Sequence, residues 1–199
     1  MAARYPTAQW LGQTPNNGGK FKAGQPTILV CHYTAGGAGL DSANYLMKSA
    51  AEASAPFVID RDGAVLQISE IDLVNWHAGK SAWKGLTKLN AYSIGLEFAN
   101  LGYMKKVGGK WMTGASKFQS EYTGTNGVIE AAHKNDPTKI QGWEKYPDVQ
   151  IVAGLALAEW LLTQFPTIKE VVGHDDISPG RKSDPGPAFP MGRFQALFS

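Results

Sequence analysis

Residues 148–165 read DVQIVAGLALAEWLLTQF and lie between Pro147 and Pro166. Apolar residues recur at Ile151, Leu155, Ala158, Leu162 and Phe165, spacings of four and three that form one face of an α-helix. Proline is tolerated just before a helix and cannot continue one, so both ends of this segment are set. The β-branched run IKEVV (168–172) follows and reads as a buried strand. TILVCHYT (27–34) is a second strong strand, and PFVID, RDG and AVLQIS (56–69) form a hairpin turning at Arg61-Asp62-Gly63. LDSANYLMKSAAEAS (40–54) has helix-forming composition, with Asp41 or Ser42 as its N-cap. Helices interleaved with strands predict an α/β fold: a single domain with a central mixed β-sheet flanked by helices.

In YSIGLEFAN (92–100), Ile94, Leu96 and Phe98 alternate with Ser93, Gly95 and Glu97, which places Glu97 on the face opposite the large apolar residues. KKVGGKWMT (105–113) suits a hairpin around Gly108-Gly109. The polar stretch 114–145 has no periodicity that orders it, and His133 within it reads as solvated. Residues 1–26, rich in Gly, Pro, Asn and Gln, read as an irregular arm packed on a domain of residues 27–199. A short C-terminal helix is expected around GRFQALF.

Composition narrows the function. A net charge of +2 carries no signal for a nucleic-acid partner. The one cysteine, Cys31, excludes an internal disulfide framework and a cysteine-rich zinc site; inside ILVCHYT it reads as a buried thiol. No apolar run is long enough to span a membrane, so no membrane insertion is expected. The first residues, MAARYPTAQWLGQTPNNGGK, hold no apolar core of a secretory signal, and synthesis in the cytoplasm is expected.

The densest chemistry lies in GHDDISPGRKSDPG (173–186), where a histidine, three aspartates, an arginine and a lysine share a Gly/Pro-punctuated stretch just past a strand. Pro179 and Pro185 predict an irregular loop there. Of the four histidines, His32 and His174 fall at the ends of the two most strand-like runs. If those strands are neighbours, two imidazoles and a carboxylate would leave an open position on a tetrahedral zinc. A lone histidine beside an apolar run is more often structural, and the spacing is also compatible with two unrelated histidines.

Taken together, CHYT, WHAG, SIGLEF and GHDDISPGRKSDPGPAF resemble, in order, the type-2 N-acetylmuramoyl-L-alanine amidases. That family includes phage lysozyme-like amidases, muropeptide-recycling amidases and peptidoglycan recognition proteins. The likeness runs from about residue 27 to 194 and is loose over 101–145. It implies one Zn²⁺ per chain in a cleft at the sheet's edge, with His32, His174 and Asp184 as ligands. Many members carry cysteine where this chain has Asp184, a carboxylate variant compatible with zinc. It further implies Glu97 as general base and Lys182 as the cation that steadies the transition state. His77 of WHAG would lie at the substrate cleft, contacting sugar or supporting the metal site. The tyrosine of phage-type members has no counterpart where this chain reads Ala55-Pro56-Phe57.

The activity so implied is hydrolysis of the amide between N-acetylmuramic acid and L-alanine of the stem peptide, with peptidoglycan or a muropeptide as the partner and the chain as a monomer. The enzyme would act as an endolysin-like bacteriolytic protein after release by another route, or on cytosolic muropeptides. The rival reading is a peptidoglycan-binding module that does not cut. Such modules typically lack a zinc ligand, and this chain keeps all three matched positions. Asp175, Asp176 and Arg181 read as residues that order the loop.

Overall fold

The computed structural model describes residues 4–113 and 119–199. In chain order come β1 (Gln9–Trp10), β2 (Asn17–Lys20), β3 (Ile28–Tyr33) and helix α1 (Gly39–Leu46). Six strands follow: β4 (Phe57–Ile59), β5 (Val65–Gln67), β6 (Leu73–Asn75), β7 (Ala82–Trp83), β8 (Leu86–Thr87) and β9 (Ser93–Phe98). An insertion of β10 (Tyr103–Val107), β11 (Lys110–Thr113), β12 (Val128–His133) and β13 (Asp136–Glu144) precedes the long helix α2 (Asp148–Gln164). The chain ends with β14 (Glu170–Gly173), the single turn α3 (His174–Ile177) and α4 (Met191–Gln195). Among the described residues no helix is long and apolar enough to cross a membrane.

The main sheet has six strands in the order β1-β5-β4-β9-β3-β14. Strands β4, β9, β3 and β14 are mutually parallel and β5 is antiparallel to β4, so the fold is a mixed α/β domain as expected. Alternation gives the sheet two faces. Leu29, Cys31, Ile94, Leu96 and Phe98 pack against Ile151, Leu157, Ala158 and Leu161 of α2. Ile28 and Val30 pack on the other side with Ala78, Leu89, Val172 and Ile177. His32 continues the Ile28–Val30 parity, and Glu97 is its register partner on β9. Both therefore leave the sheet on the side away from α2.

Several expectations are corrected. The buried line of α2 is Ile151, Gly154, Leu157, Ala158 and Leu161, whereas Leu155, Leu162 and Phe165 are half-buried at its border. Gly154 sets the close approach: a Cβ there would lie 2.5 Å from Phe98 Cε1. The first helix is shorter than 40–54 and begins at Gly39, so Asp41 and Ser42 are not its cap; Asp60 Oδ2 accepts the Gly39 N–H at 2.9 Å instead. A cap supplied by a residue 21 positions away is invisible to local reading. The Gly/Pro-rich stretch after β14 opens with one helical turn, closed by Asp176 Oδ2 accepting the Gly173 N–H at 2.7 Å. The N-terminal segment expected as irregular carries β1 on β5 and β2 on β6. The Gly108-Gly109 hairpin forms, with positive φ at both glycines.

The stretch 114–145, for which the sequence offered no order and whose residues 114–118 lie outside the described residues, contains a β-hairpin. With β10 and β11 it makes a second sheet, in the order β11-β10-β13-β12. Glu144, 2% exposed, fastens this sheet to the domain. Its carboxylate accepts from Arg61 at 2.8 and 3.2 Å, from the Leu101 N–H at 2.6 Å and from Asn126 at 3.1 Å. Every group approaching it is a donor. Glu144→Gln, which turns one oxygen into a donor and removes the charge opposite Arg61, is therefore expected to destabilise the protein by about 2–4 kcal/mol in urea melts.

Candidate metal centre and cleft

Strand register assembles the site. β14 pairs with β3 up to Gly173 opposite Cys31, so the next residues, His174 and His32, stand side by side at the strand ends. Asp184 returns to them because its carbonyl accepts the Asp175 N–H at 2.8 Å. The result is a triangle: His32 Nδ1, His174 Nδ1 and Asp184 Oδ2 lie 2.9 Å from one another. All three residues are buried. They form the group among the described residues whose donor atoms could share a metal ion.

Hydrogen bonding fixes which ring nitrogens carry protons. Ser93 Oγ gives its proton to the Leu89 carbonyl at 2.6 Å, so the contacts of His77 Nε2 to Ser93 at 3.2 Å require that nitrogen to donate. Burial, and then His32, hold His77 well below the usual imidazole range, so the ring is neutral and its Nδ1 is an acceptor. At 3.0 Å it accepts from His32 Nε2–H. Burial and the neighbouring His174 bring His32 down to about 4, leaving a bare lone pair on Nδ1. His174 Nε2 lies 3.2 Å from the Ala78 carbonyl and 3.3 Å from the Arg181 guanidinium, and its Nδ1 faces the same point as His32 Nδ1. Burial pushes Asp184 up, but its bonds to His174 and His32 outweigh this and hold it below the usual carboxylate range. Two imidazole nitrogens and a carboxylate oxygen converge on one point. That donor set fits a divalent cation such as zinc, which takes neutral imidazoles and carboxylate oxygen.

The triangle lies in a cleft of about 740 Å³ whose lining includes Tyr45, Trp76, Glu97, Tyr103 and Lys182. Glu97 is half-buried, and its Oε2 is buried without a hydrogen-bond partner among the described residues. Burial, and then Asp184, push its carboxyl up to about 8, while Lys182 pulls it down. Lys182 is exposed on the rim. His77 is only 8% exposed and both its nitrogens are engaged within the protein. Its place depends on Gly95, where a Cβ would lie 2.6 Å from His77 Cγ. Arg181 orders the loop as expected, donating to the carbonyls of Ala78 and Lys80 at 2.8 Å. Cys31 is fully buried, and burial raises its thiol.

His133 is corrected outright: it is 6% exposed, stacked on Trp143, and bonded through Nε2 to Asp175 Oδ2 at 2.9 Å. Lys134 reaches Asp175 at 2.8 Å and Asp176 at 2.6 Å. The insertion thus grips the residues just after His174. Sequence reading missed this because the partner lies 42 positions away.

The mixed sheet with a His/His/Asp triangle in its cleft is a candidate metal site, and comparison with known proteins gives the family. The chain belongs to the N-acetylmuramoyl-L-alanine amidase family, whose model matches residues 22–187. It is similar to the 1,6-anhydro-N-acetylmuramyl-L-alanine amidase AmpD of Enterobacter cloacae, 31% identical over 147 residues, which are 73% of this chain and 57% of that protein. The chain thus spans little more than half the length of that relative. A selenomethionine AmpD crystal structure superposes with a TM-score of 0.64 at 25% identity, covering 98% of this chain and 97% of the other. AmiD of Escherichia coli, solved with anhydro-N-acetylmuramic acid-L-Ala-D-γ-Glu-L-Lys, gives a TM-score of 0.63 at 28% identity over 86% of this chain and 57% of the other.

If His77 fixes the His32 tautomer, His77→Ala is expected to weaken zinc affinity by roughly 10–100-fold in a chelator-competition titration. Gly95→Ala should do the same through displacement of the His77 ring. Unchanged affinity in both would contradict the hydrogen-bond assignment.

Proposed function

We propose that this chain is a zinc-dependent N-acetylmuramoyl-L-alanine amidase that hydrolyses the amide joining the lactyl group of N-acetylmuramic acid to L-alanine. The observation that carries the reading is the 2.9 Å convergence of His32, His174 and Asp184 beside Glu97 in one cleft, in a chain of this family. Soluble anhydromuropeptides are the proposed substrates, because the similar AmpD is named for the 1,6-anhydro sugar and AmiD was solved with such a peptide.

His32, His174 and Asp184 would hold the ion. Zinc supplies Lewis acidity, making water nucleophilic near neutral pH and drawing charge from the scissile carbonyl oxygen. Glu97 takes the proton of the attacking water and returns it to the leaving amine of L-alanine. Its Oε2 has no hydrogen-bond partner among the described residues that would compete for the proton. Lys182 adds positive charge where the oxyanion develops. The large cleft, flanked by Trp76 and Tyr45, has room for a sugar and a short peptide.

Incubation with anhydromuropeptide should release stem peptides with a free L-alanine amino terminus, leaving glycosidic bonds intact, and a chelator should stop the release. New amino termini on later stem residues would indicate a peptidase. Binding without cleavage by zinc-loaded protein would favour the recognition module, and faster turnover of intact sacculi than of soluble fragments the endolysin role.

Glu97→Gln should keep its metal and lose roughly 10²–10⁴ in rate. The pH profile carries a sign. The base works as a carboxylate, so activity falls on the acid side as Glu97 takes up a proton. Because Lys182 lowers the Glu97 pKa, Lys182→Met should move the acid limb of kcat/KM to higher pH as well as slow turnover. A shift to lower pH would contradict these roles.

A further inference from the structure

Lys182 and Asp184 flank Ser183, and the backbone around them is pinned on both sides. The Lys182 N–H donates to the Ser178 carbonyl at 3.0 Å, and the Asp184 carbonyl accepts from Asp175. Between those anchors the Ser183 hydroxyl meets the Tyr33 hydroxyl at 2.6 Å. Tyr33 directly follows His32 at the end of β3. Its ring lies against the first turn of the insertion, where Gly102 has φ +74° and a Cβ would fall 2.5 Å from Tyr33 Cζ. Three parts of the molecule therefore meet on one phenol: the strand carrying His32, the start of the second sheet, and the loop carrying Lys182.

Lys182 needs such a fixture. It is exposed, its ammonium pairs with no carboxylate among the described residues, and its four-carbon stem is flexible. Without side-chain partners, its position over the cleft is set by where its Cα stands. We propose that the Tyr33 hydroxyl is a positioning group for Lys182, acting through Ser183 to hold the Lys182–Asp184 segment against the end of β3. The inference rests on the proposed role of Lys182. Tyr33 also lines the cleft, so a direct contact with substrate is the competing account and the experiment must separate the two.

The test uses the zinc-loaded protein and steady-state kinetics on a soluble anhydromuropeptide. Tyr33→Phe keeps the ring against Gly102 and removes only the oxygen; Ser183→Ala removes the other partner. Each is expected to lower kcat by roughly 10-fold with KM nearly unchanged, since displacement of a group that acts in the transition state shows in turnover. The double variant should be no slower than either single one. Zinc content by elemental analysis and the thermal midpoint should match the parent protein. In a Lys182→Met background, Tyr33→Phe should have no further effect. A slow Tyr33→Phe beside a fully active Ser183→Ala would overturn the proposal in favour of direct contact. An additive loss in the Lys182→Met background, or loss of zinc, would overturn it in favour of a general role in the metal loop. Full activity of Lys182→Met alone would overturn the reading of Lys182 as well, a result distinct from either of these.

Discussion

Two imidazoles and a carboxylate converge to 2.9 Å at one buried point, and much of this protein's arrangement serves to hold them there. His32 and His174 cannot turn away, because each ring is held from behind, one by His77 and the other by the Ala78 carbonyl. Nor can they slide apart, because His32 lies on β3 and His174 directly follows β14, which is paired with β3 up to Gly173 opposite Cys31. Asp184 is tied through its own carbonyl to the residue after His174. A site held so firmly before a cation enters needs little rearrangement to bind one, which is how supporting hydrogen bonds raise metal affinity.

The second sheet makes sense as part of the same constraint. It meets the domain at two buried carboxylates, Glu144 and Asp175, not at an apolar face alone. Glu144 gathers donors from Arg61, Leu101 and Asn126, and Arg61 also reaches the Gly36 carbonyl at 3.3 Å, on the rim of the cleft. At the other end His133 and Lys134 close on Asp175 and Asp176. Buried ion pairs contribute little net stability compared with apolar packing, but they are intolerant of misplacement. Here they specify where the insertion and the loop after β14 stand relative to each other.

What could be read from the chain was what repeats locally or sits in a recognisable motif. The prolines around α2, the alternation in β9, the Asp62-Gly63 turn and the Gly108-Gly109 hairpin each announce themselves within a few residues. The candidate site was legible through its four ordered motifs, and the fold brings His32, His174, Asp184, Glu97 and Lys182 to one cleft. The rest was illegible because its causes are remote. The cap of α1 comes from Asp60, the partner of His133 from Asp175, and the need for Gly95 from the ring of His77. Strands β12 and β13 carry Glu, Asp, Lys and Gln and bury few of their residues, so hydrophobic periodicity never marked them.

Glu97 bears most directly on the choice between cutting and merely binding. Several buried polar atoms in this fold lack a partner, yet Glu97 Oε2 is the one among them, in the described residues, that belongs to the lining of the main cleft. Leaving a buried acceptor unsatisfied costs about 1–3 kcal/mol, and the neighbouring Asp184 adds repulsion. A surface shaped only to hold a glycopeptide gains nothing from a carboxylate in that condition, since an amide or hydroxyl at the same place would bind as well without the charge. A carboxylate that is desolvated, poised to exchange a proton and placed beside a convergent acceptor triangle is useful when a proton must move. The strain is therefore located where chemistry would use it, and the conflict between local stability and the site favours the hydrolytic reading over recognition alone.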